Sequence, residues 1–188
     1  MLHKIDLDKY IDYIDILYFY SMNEIKNKVK ESGLIQLDLA DVKPRIEIVG
    51  IDISSVLWQG LILKEKEFRN WVKDHDWNTY HGKAVFVHCS ADAIIPTWAY
   101  MLIASNLSGI AHEWIIGSKE ELIKSLIVSN VKKIDTTSMK DGRVIIKGCS
   151  DIPYPDFAMV ELMKCIQPVV KSIMYGEPCS TVPVFKRK

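Results

Sequence analysis

The sequence predicts an α/β fold: a single layered domain with a mostly parallel sheet, helices on both of its faces, and an extra N-terminal helix. Three observations predict it. Leu34-Ile35-Gln36-Leu37-Asp38-Leu39 alternates with period two, as does Ile46-Glu47-Ile48, with Lys43-Pro44 as the break between them. The apolar run Ala84-Val85-Phe86-Val87 ends at His88-Cys89-Ser90 and is followed by a helix from about Pro96. The run Arg143 to Gly148 ends at Cys149-Ser150-Asp151 and leads through a Pro-rich turn into a helix from Asp156 to about Ile166. Strands that alternate with helices in this way call for crossover connections, and crossovers build parallel sheets.

The elements follow in order. Residues 1–21 carry helix-like spacing of Ile5, Tyr10, Ile11, Ile14, Leu17 and Tyr18, and Met22 opens a polar helix that stops at Ser32-Gly33. Residues 1–21 read as a leader helix or a misassigned start, and 22–188 as a single α/β domain. Leu61 to Asp74 suits a surface helix with a solvated charged face, with Leu61, Leu63, Phe68, Trp71 and Val72 as its apolar positions. Thr97 to Ala104 is apolar nearly all round, which predicts a buried helix favoured by Pro96 at its start. His112 to Ile116 reads as a strand and Lys119 to Val128 as a helix. Asp156 is placed as an N-cap, and Thr181 to Phe185 as an edge strand, since Pro183 cannot donate to a ladder. No internal repeat stands out.

Composition narrows the function. Hydrophobic residues make up 48% and charged residues 26%, as in an ordinary globular protein rather than a disordered one. Lys+Arg and Asp+Glu both number 24, so the basic excess that offsets nucleic-acid phosphates is missing. Asp6, Asp8, Asp12 and Asp15 interrupt any apolar run near the start, and no run is long enough to span a bilayer. The expectation is a cytoplasmic protein with no nucleic-acid or membrane partner, whose four cysteines are reduced thiols.

Chemistry concentrates on those thiols. Cys89, Cys149 and Cys179 are each followed by serine, and Cys89 and Cys149 close predicted strands, at the edge where open α/β sheets gather their sites. Cys89 also precedes a helix, whose positive end favours thiolate. Cys179 joins them on that edge if Val170 to Tyr175 is a strand, and is carried to the opposite edge if the preceding helix continues. Three thiolates leave a fourth metal position for histidine, carboxylate, water or sulfide, which suits Zn2+ or an iron–sulfur cluster. Cys165 falls instead on a helical core stripe with Ala158, Leu162, Ile166 and Val169. Against this stands the ordinary behaviour of free cysteine as a small buried hydrophobe.

Other enzyme signatures are missing. The nine glycines form no phosphate loop, and there is no G-x-S-x-G elbow, C-x-x-C or H-E-x-x-H. A phosphatase loop needs arginine six residues after its cysteine, where Ile95, Pro155 and Phe185 stand. His88 adjoins Cys89 but points to the opposite face of a strand. His75, His81 and His112 read as solvated loop residues. Asp92 and Asp151 read as turn or cap residues, or as groups that orient a neighbouring ligand.

From Met22 onward the chain resembles a bacterial family, the domain of unknown function twenty-four eighty. The resemblance is carried by Gln59-Gly60-Leu61-Ile62-Leu63-Lys64-Glu65-Lys66, Cys89-Ser90-Ala91-Asp92-Ala93-Ile94, Pro96-Thr97-Trp98-Ala99-Tyr100, Lys147-Gly148-Cys149-Ser150-Asp151 and the run from Ser172 to Val184. The leader departs from the pattern, which favours Met22 as the start. The resemblance implies iron–sulfur assembly proteins as partners, and so a thiolate site for iron or a cluster. The leading expectation is therefore a metal- or iron–sulfur-cluster-binding protein that uses Cys89, Cys149 and Cys179. The alternatives are a cysteine-dependent transferase with Cys89 as nucleophile, or a non-catalytic interaction module with buried thiols.

Overall fold

Two strands, each closed by an aspartate, open the described part of the chain. The computed structural model describes residues 33–148, 151–177 and 180–188, of which Ile35–Lys188 hold together as one compact unit. The helices expected before Ser32 lie outside the described residues. Strands β1 (Leu34–Asp38) and β2 (Ile48–Asp52) each run straight into a 3-10 turn, Leu39–Val42 and Ile53–Val56. The closing aspartate makes the turn: Asp38 accepts the N–H of Ala40 at 2.8 Å, and Asp52 that of Ser54 at 2.9 Å.

The chain continues through α1 (Glu65–Asp74), a 3-10 turn (Trp77–Tyr80), β3 (Ala84–His88), α2 (Thr97–Leu107) and β4 (Glu113–Ile116). It then forms α3 (Lys119–Lys132), a 3-10 turn (Thr137–Met139), β5 (Arg143–Lys147), α4 (Pro155–Ile166), β6 (Ser172–Glu177) and β7 (Ser180–Lys186). The fold is α/β with helices flanking mostly parallel strands, but the strands are divided between two sheets, β2-β3-β4 and β1-β5-β6-β7. The pairs β2–β3, β3–β4 and β5–β6 are parallel, and β7 returns antiparallel to β6 at the sheet edge.

Helix α3 serves both sheets. A capping box between Ser118 and Glu121 starts it. Leu122 and Leu126 pack with Ala84, Ile48, Phe86 and Ile115 on one face of the first sheet. Ile127 and Val131 lie in a second cluster with Val144, Ile146, Leu162, Ile166 and Ile173 of β5, α4 and β6. The opposite face of the first sheet carries α1 and α2, where Phe68, Val72, Ala99, Ile103 and Leu107 bury Val85 and Val87.

The second half of this arrangement repeats the first. Residues 65–117 and 124–176 match at a constant shift of 59 positions (Asp76 to Asp135), without insertion or deletion. Phe68 and Val72 of α1 correspond to Ile127 and Val131 of α3, all buried. Asp76 accepts the N–H of Asn78 at 3.1 Å, as Asp135 accepts that of Thr137 at 2.9 Å. The N–H of His112 meets the carbonyl of Lys83, and that of Lys171 the carbonyl of Gly142, both at 2.8 Å. Ala99, Ile103 and Leu107 of α2 become Ala158, Leu162 and Ile166 of α4. Register agrees too, since Val85 pairs with Trp114 as Val144 pairs with Ile173. Both copies end at a glycine of positive φ, Gly117 (149°) and Gly176 (120°). The opening strands match at a shift of 14 positions (Asp38 to Asp52), and β1 flanks β5 as β2 flanks β3. The structure thus corrects the expectation of no internal repeat.

Other sequence expectations shift locally. The ladder of β2 starts at Ile48, where the alternation around Ile46 was expected to be the strand itself. Helix α1 begins at Glu65, and Leu61 precedes it in an exposed turn. Helix α2 is buried on one face only, with Met101 66% exposed. Tyr154 takes the cap position of α4, in left-handed conformation (φ 52°), which puts Pro155 and Asp156 in the first turn. No helix among the described residues is long and apolar enough to cross a membrane.

Matched core positions should respond alike. Leu107→Ala and Ile166→Ala should each cost about 2–5 kcal/mol in urea unfolding, while Met101→Ala should stay within about 0.5 kcal/mol. A mild effect at either buried position would contradict the packing.

Candidate functional site

At the carboxyl edge of the first sheet, β2 and β3 end side by side and Asp52 ties them together. Besides the Ser54 amide, its carboxylate accepts the Ser90 N–H at 3.0 Å and the Ser90 hydroxyl at 2.6 Å. The Ser54 hydroxyl lies 3.0 Å from that of Ser90. These donors, the Ser90 hydroxyl foremost, hold the Asp52 carboxyl well below the usual carboxylate range, against an opposing push from burial. Ser90 of the first Cys-Ser pair is thus a clamp on its own loop.

Cys89 turns to the other side. Half-buried, it packs against the cluster of Ile53, Ala99 and Ile103, and its thiol donates to the Ala91 carbonyl at 3.5 Å. Tyr100 of α2 has its phenol pushed up, first by burial and then by the charge Cys89 would carry. His88 stacks on Phe86 with ring centroids 5.2 Å apart, on the face opposite Cys89, as strand alternation predicts.

The second sheet presents the matching edge. Cys149-Ser150 and Pro178-Cys179 lie outside the described residues, and Gly148, Asp151, Glu177 and Ser180 border them. Parallel neighbours β5 and β6 end at Lys147 and Glu177, whose side chains pair at 3.5 Å. Ser172–Glu177 is a strand, where the sequence makes a strand over Val170 to Tyr175 the condition for Cys179 to join Cys89 and Cys149. Pro178 and Cys179 are the two residues between the paired Glu177 and Ser180. Cys89 follows β3 in the other sheet. Among the described residues no three His, Cys, Asp or Glu side chains are grouped as metal ligands.

A cavity of about 360 Å³ opens at this edge, lined by Leu39, Gly148, Pro155, Asp156, Met159 and Tyr175. A Cβ on Gly148 would overlap the end of the Tyr175 ring, which would have to shift to admit it. The repeat explains the opening: the counterpart of Gly148 is Cys89 and that of Met159 is Tyr100. A second cavity, about 450 Å³, lies between the turn after β1 and the end of α3, lined by Asp41, Lys43, Arg45, Asn130, Lys133 and Ile134. Lys43 reaches Asp151, two residues beyond Cys149, at 2.8 Å. The Lys43 ammonium lowers the Asp151 carboxyl, by hydrogen bond first and charge second.

The remaining sequence candidates are structural. Cys165 is half-buried against the second core, its thiol 3.7 Å from the Val131 carbonyl. His75, expected to be solvated, is half-buried among Trp71, Trp77 and Tyr80, with its Nε2 3.0 Å from the Tyr80 hydroxyl. Burial lowers its basicity, with Asp76 opposing. His81, His112 and Asp92 are exposed. The clamp of Asp52 and Ser54 and the cations Lys43, Arg45 and Lys133 escaped the sequence reading. Their one signal was the repeated Leu37-Asp38-Leu39 and Ile51-Asp52-Ile53.

Asp52→Asn should destabilise the protein by about 1 kcal/mol at neutral pH, a low figure for a charged acceptor because the group is partly solvated. The folded carboxyl is depressed, so its contribution is full above about pH 4 and is lost as pH falls further. Thermal unfolding should show a constant gap between wild type and variant from about pH 5 to 8, narrowing below about pH 4. A gap that widens in acid would contradict the clamp.

No curated protein and no solved structure matches the chain. The model of one family, described as Protein of unknown function (DUF2480), matches residues 23–187. That match covers nearly the whole sequence, including both repeats and all three Cys-Ser pairs, and the chain belongs to this family.

Proposed function

We propose that this protein binds a metal ion or an iron–sulfur cluster at the carboxyl edge of its second sheet, with Cys149 and Cys179 as the thiolate pair. One observation carries the reading: β5 and β6 are parallel neighbours, and each runs within two residues into a Cys-Ser dipeptide. Strands in a sheet lie about 4.8 Å apart, and a thiolate pair from adjoining strand ends suits ligands that must converge on one centre. Asp156 lines the cavity beside Gly148 and is able to add a carboxylate. Sulfide or a ligand from a partner supplies the rest of a zinc or cluster set. Cys89, which follows a strand of the other sheet with its thiol on a carbonyl, is the least supported of the three candidates. A role beside iron–sulfur assembly proteins, implied by the family resemblance, accords with such a site.

The test is metal and sulfide content, with an absorption spectrum, on protein purified without air. Stoichiometric metal is expected in wild type and in Cys89→Ser, and its loss in Cys149→Ser and in Cys179→Ser. Metal-free wild type, or metal kept by the Cys149→Ser/Cys179→Ser double variant, would overturn the proposal.

A further inference from the structure

We infer that the cavity between the turn after β1 and the end of α3 is a binding site for a phosphate group. The inference is independent of the thiol site. Three cations, Lys43, Arg45 and Lys133, surround an opening of about 450 Å³ in which, among the described residues, Asp41 is the one acidic side chain of the lining. That volume falls in the range of small-molecule sites. The protein as a whole is neutral, so the local excess of positive charge is not an echo of overall composition. Asn130 braces the wall. Its amide donates to the Val42 carbonyl at 3.3 Å and accepts from Lys133 at 3.4 Å.

The internal repeat supplies the control that a surface patch ordinarily lacks. In the first copy the same place, between the turn after β2 and the end of α1, is filled. Leu57 stands for Lys43, Trp71 for Asn130 and His75 for Ile134, and Asp74 takes the position of Lys133. Leu57 is buried, and Trp71 packs on His75 and Trp77 with centroids 4.8 and 5.9 Å apart. The backbone architecture therefore admits a closed aromatic plug at this position. In the second copy the plug is replaced by an opening, and the acidic position by a cation. Neither change is demanded by the fold.

The chemistry favours phosphate. An arginine fork with two ammonium groups matches an anion that offers several oxygens and more than one charge. Lys43 already holds an anion, the fully exposed Asp151 carboxylate, and an exposed pair of this kind is weak enough for a dianion to displace. The negative end of the α3 dipole opposes an anion, and three cations outweigh it. Lys132, which precedes Lys133 on α3 but does not line the cavity, meets the ordinary preference for a cation at a helix end.

Calorimetric titration at constant ionic strength tests the inference, using the full-length Cys149→Ser/Cys179→Ser variant so that metal plays no part. The probes are inorganic phosphate, pyrophosphate and a nucleoside monophosphate. Saturable binding is expected, weakened about tenfold by Arg45→Ala and by Lys133→Ala, the loss of one charge-assisted hydrogen bond each. Lys132→Ala, which removes the same charge outside the cavity, should bind as before. Saturation by inorganic phosphate identifies the free anion as ligand. Saturation by the nucleotide or pyrophosphate alone identifies a phosphorylated compound, and either result supports the site. No saturation by any probe at millimolar concentration, or an equal loss in Lys132→Ala, would overturn it.

Discussion

One helix carries the constraint on which the arrangement depends: α3 is buried along two faces at once. Leu122 and Leu126 cover the first sheet, while Ile127 and Val131 close the core of the second. In the second copy α3 occupies the place that α1 has in the first, and it also covers the face of the first sheet turned away from α1 and α2. A helix with one apolar stripe cannot do both. This is why apolar residues spread widely round α3, and why the parallel strands fall into two sheets instead of one. Ser125 and Ser129, between the two faces, bond to Glu113 of β4, so the polar seam of the helix is satisfied as well.

Repetition then turns one structural solution into two different edges. In both copies an aspartate closes the outer strand and caps the turn that follows. In the first copy it also gathers Ser90 and so locks the loop, with Cys89 filling the space beneath. In the second copy glycine replaces that cysteine, the space stays open, and a Cys-Ser pair follows one residue later. The first copy has an aromatic plug where the second has a cation-lined cavity. Both openings described above therefore lie with the second copy.

The α/β class and most elements were legible because apolar periodicity and Pro-started helices are local signals. What escaped the sequence depends on distant partners. The strand β2 was read short because Gly50 interrupts its pattern, yet a Cβ there would collide with the Phe86 ring of the neighbouring strand. The repeat was invisible because its copies share buried positions and turn hydrogen bonds rather than residue types, as Phe68 with Ile127 or Tyr80 with Met139 shows. His75 was read as solvated because its burial comes from Trp71, Trp77 and Tyr80, which only folding assembles around it. Cys89 and Cys149 could be placed after strands and Cys179 only conditionally, but the division of β3 and β5 between two sheets is announced by no local pattern.

Hydrogen exchange of Leu126→Ala and Ile127→Ala is the most direct test of that central role, because these adjacent residues face different sheets. If α3 joins the two copies into one cooperative unit, either substitution should lower protection of the amides in β3 and in β5 by the same free energy. Loss confined to β3 in Leu126→Ala and to β5 in Ile127→Ala would show two halves that open separately, and would contradict the account.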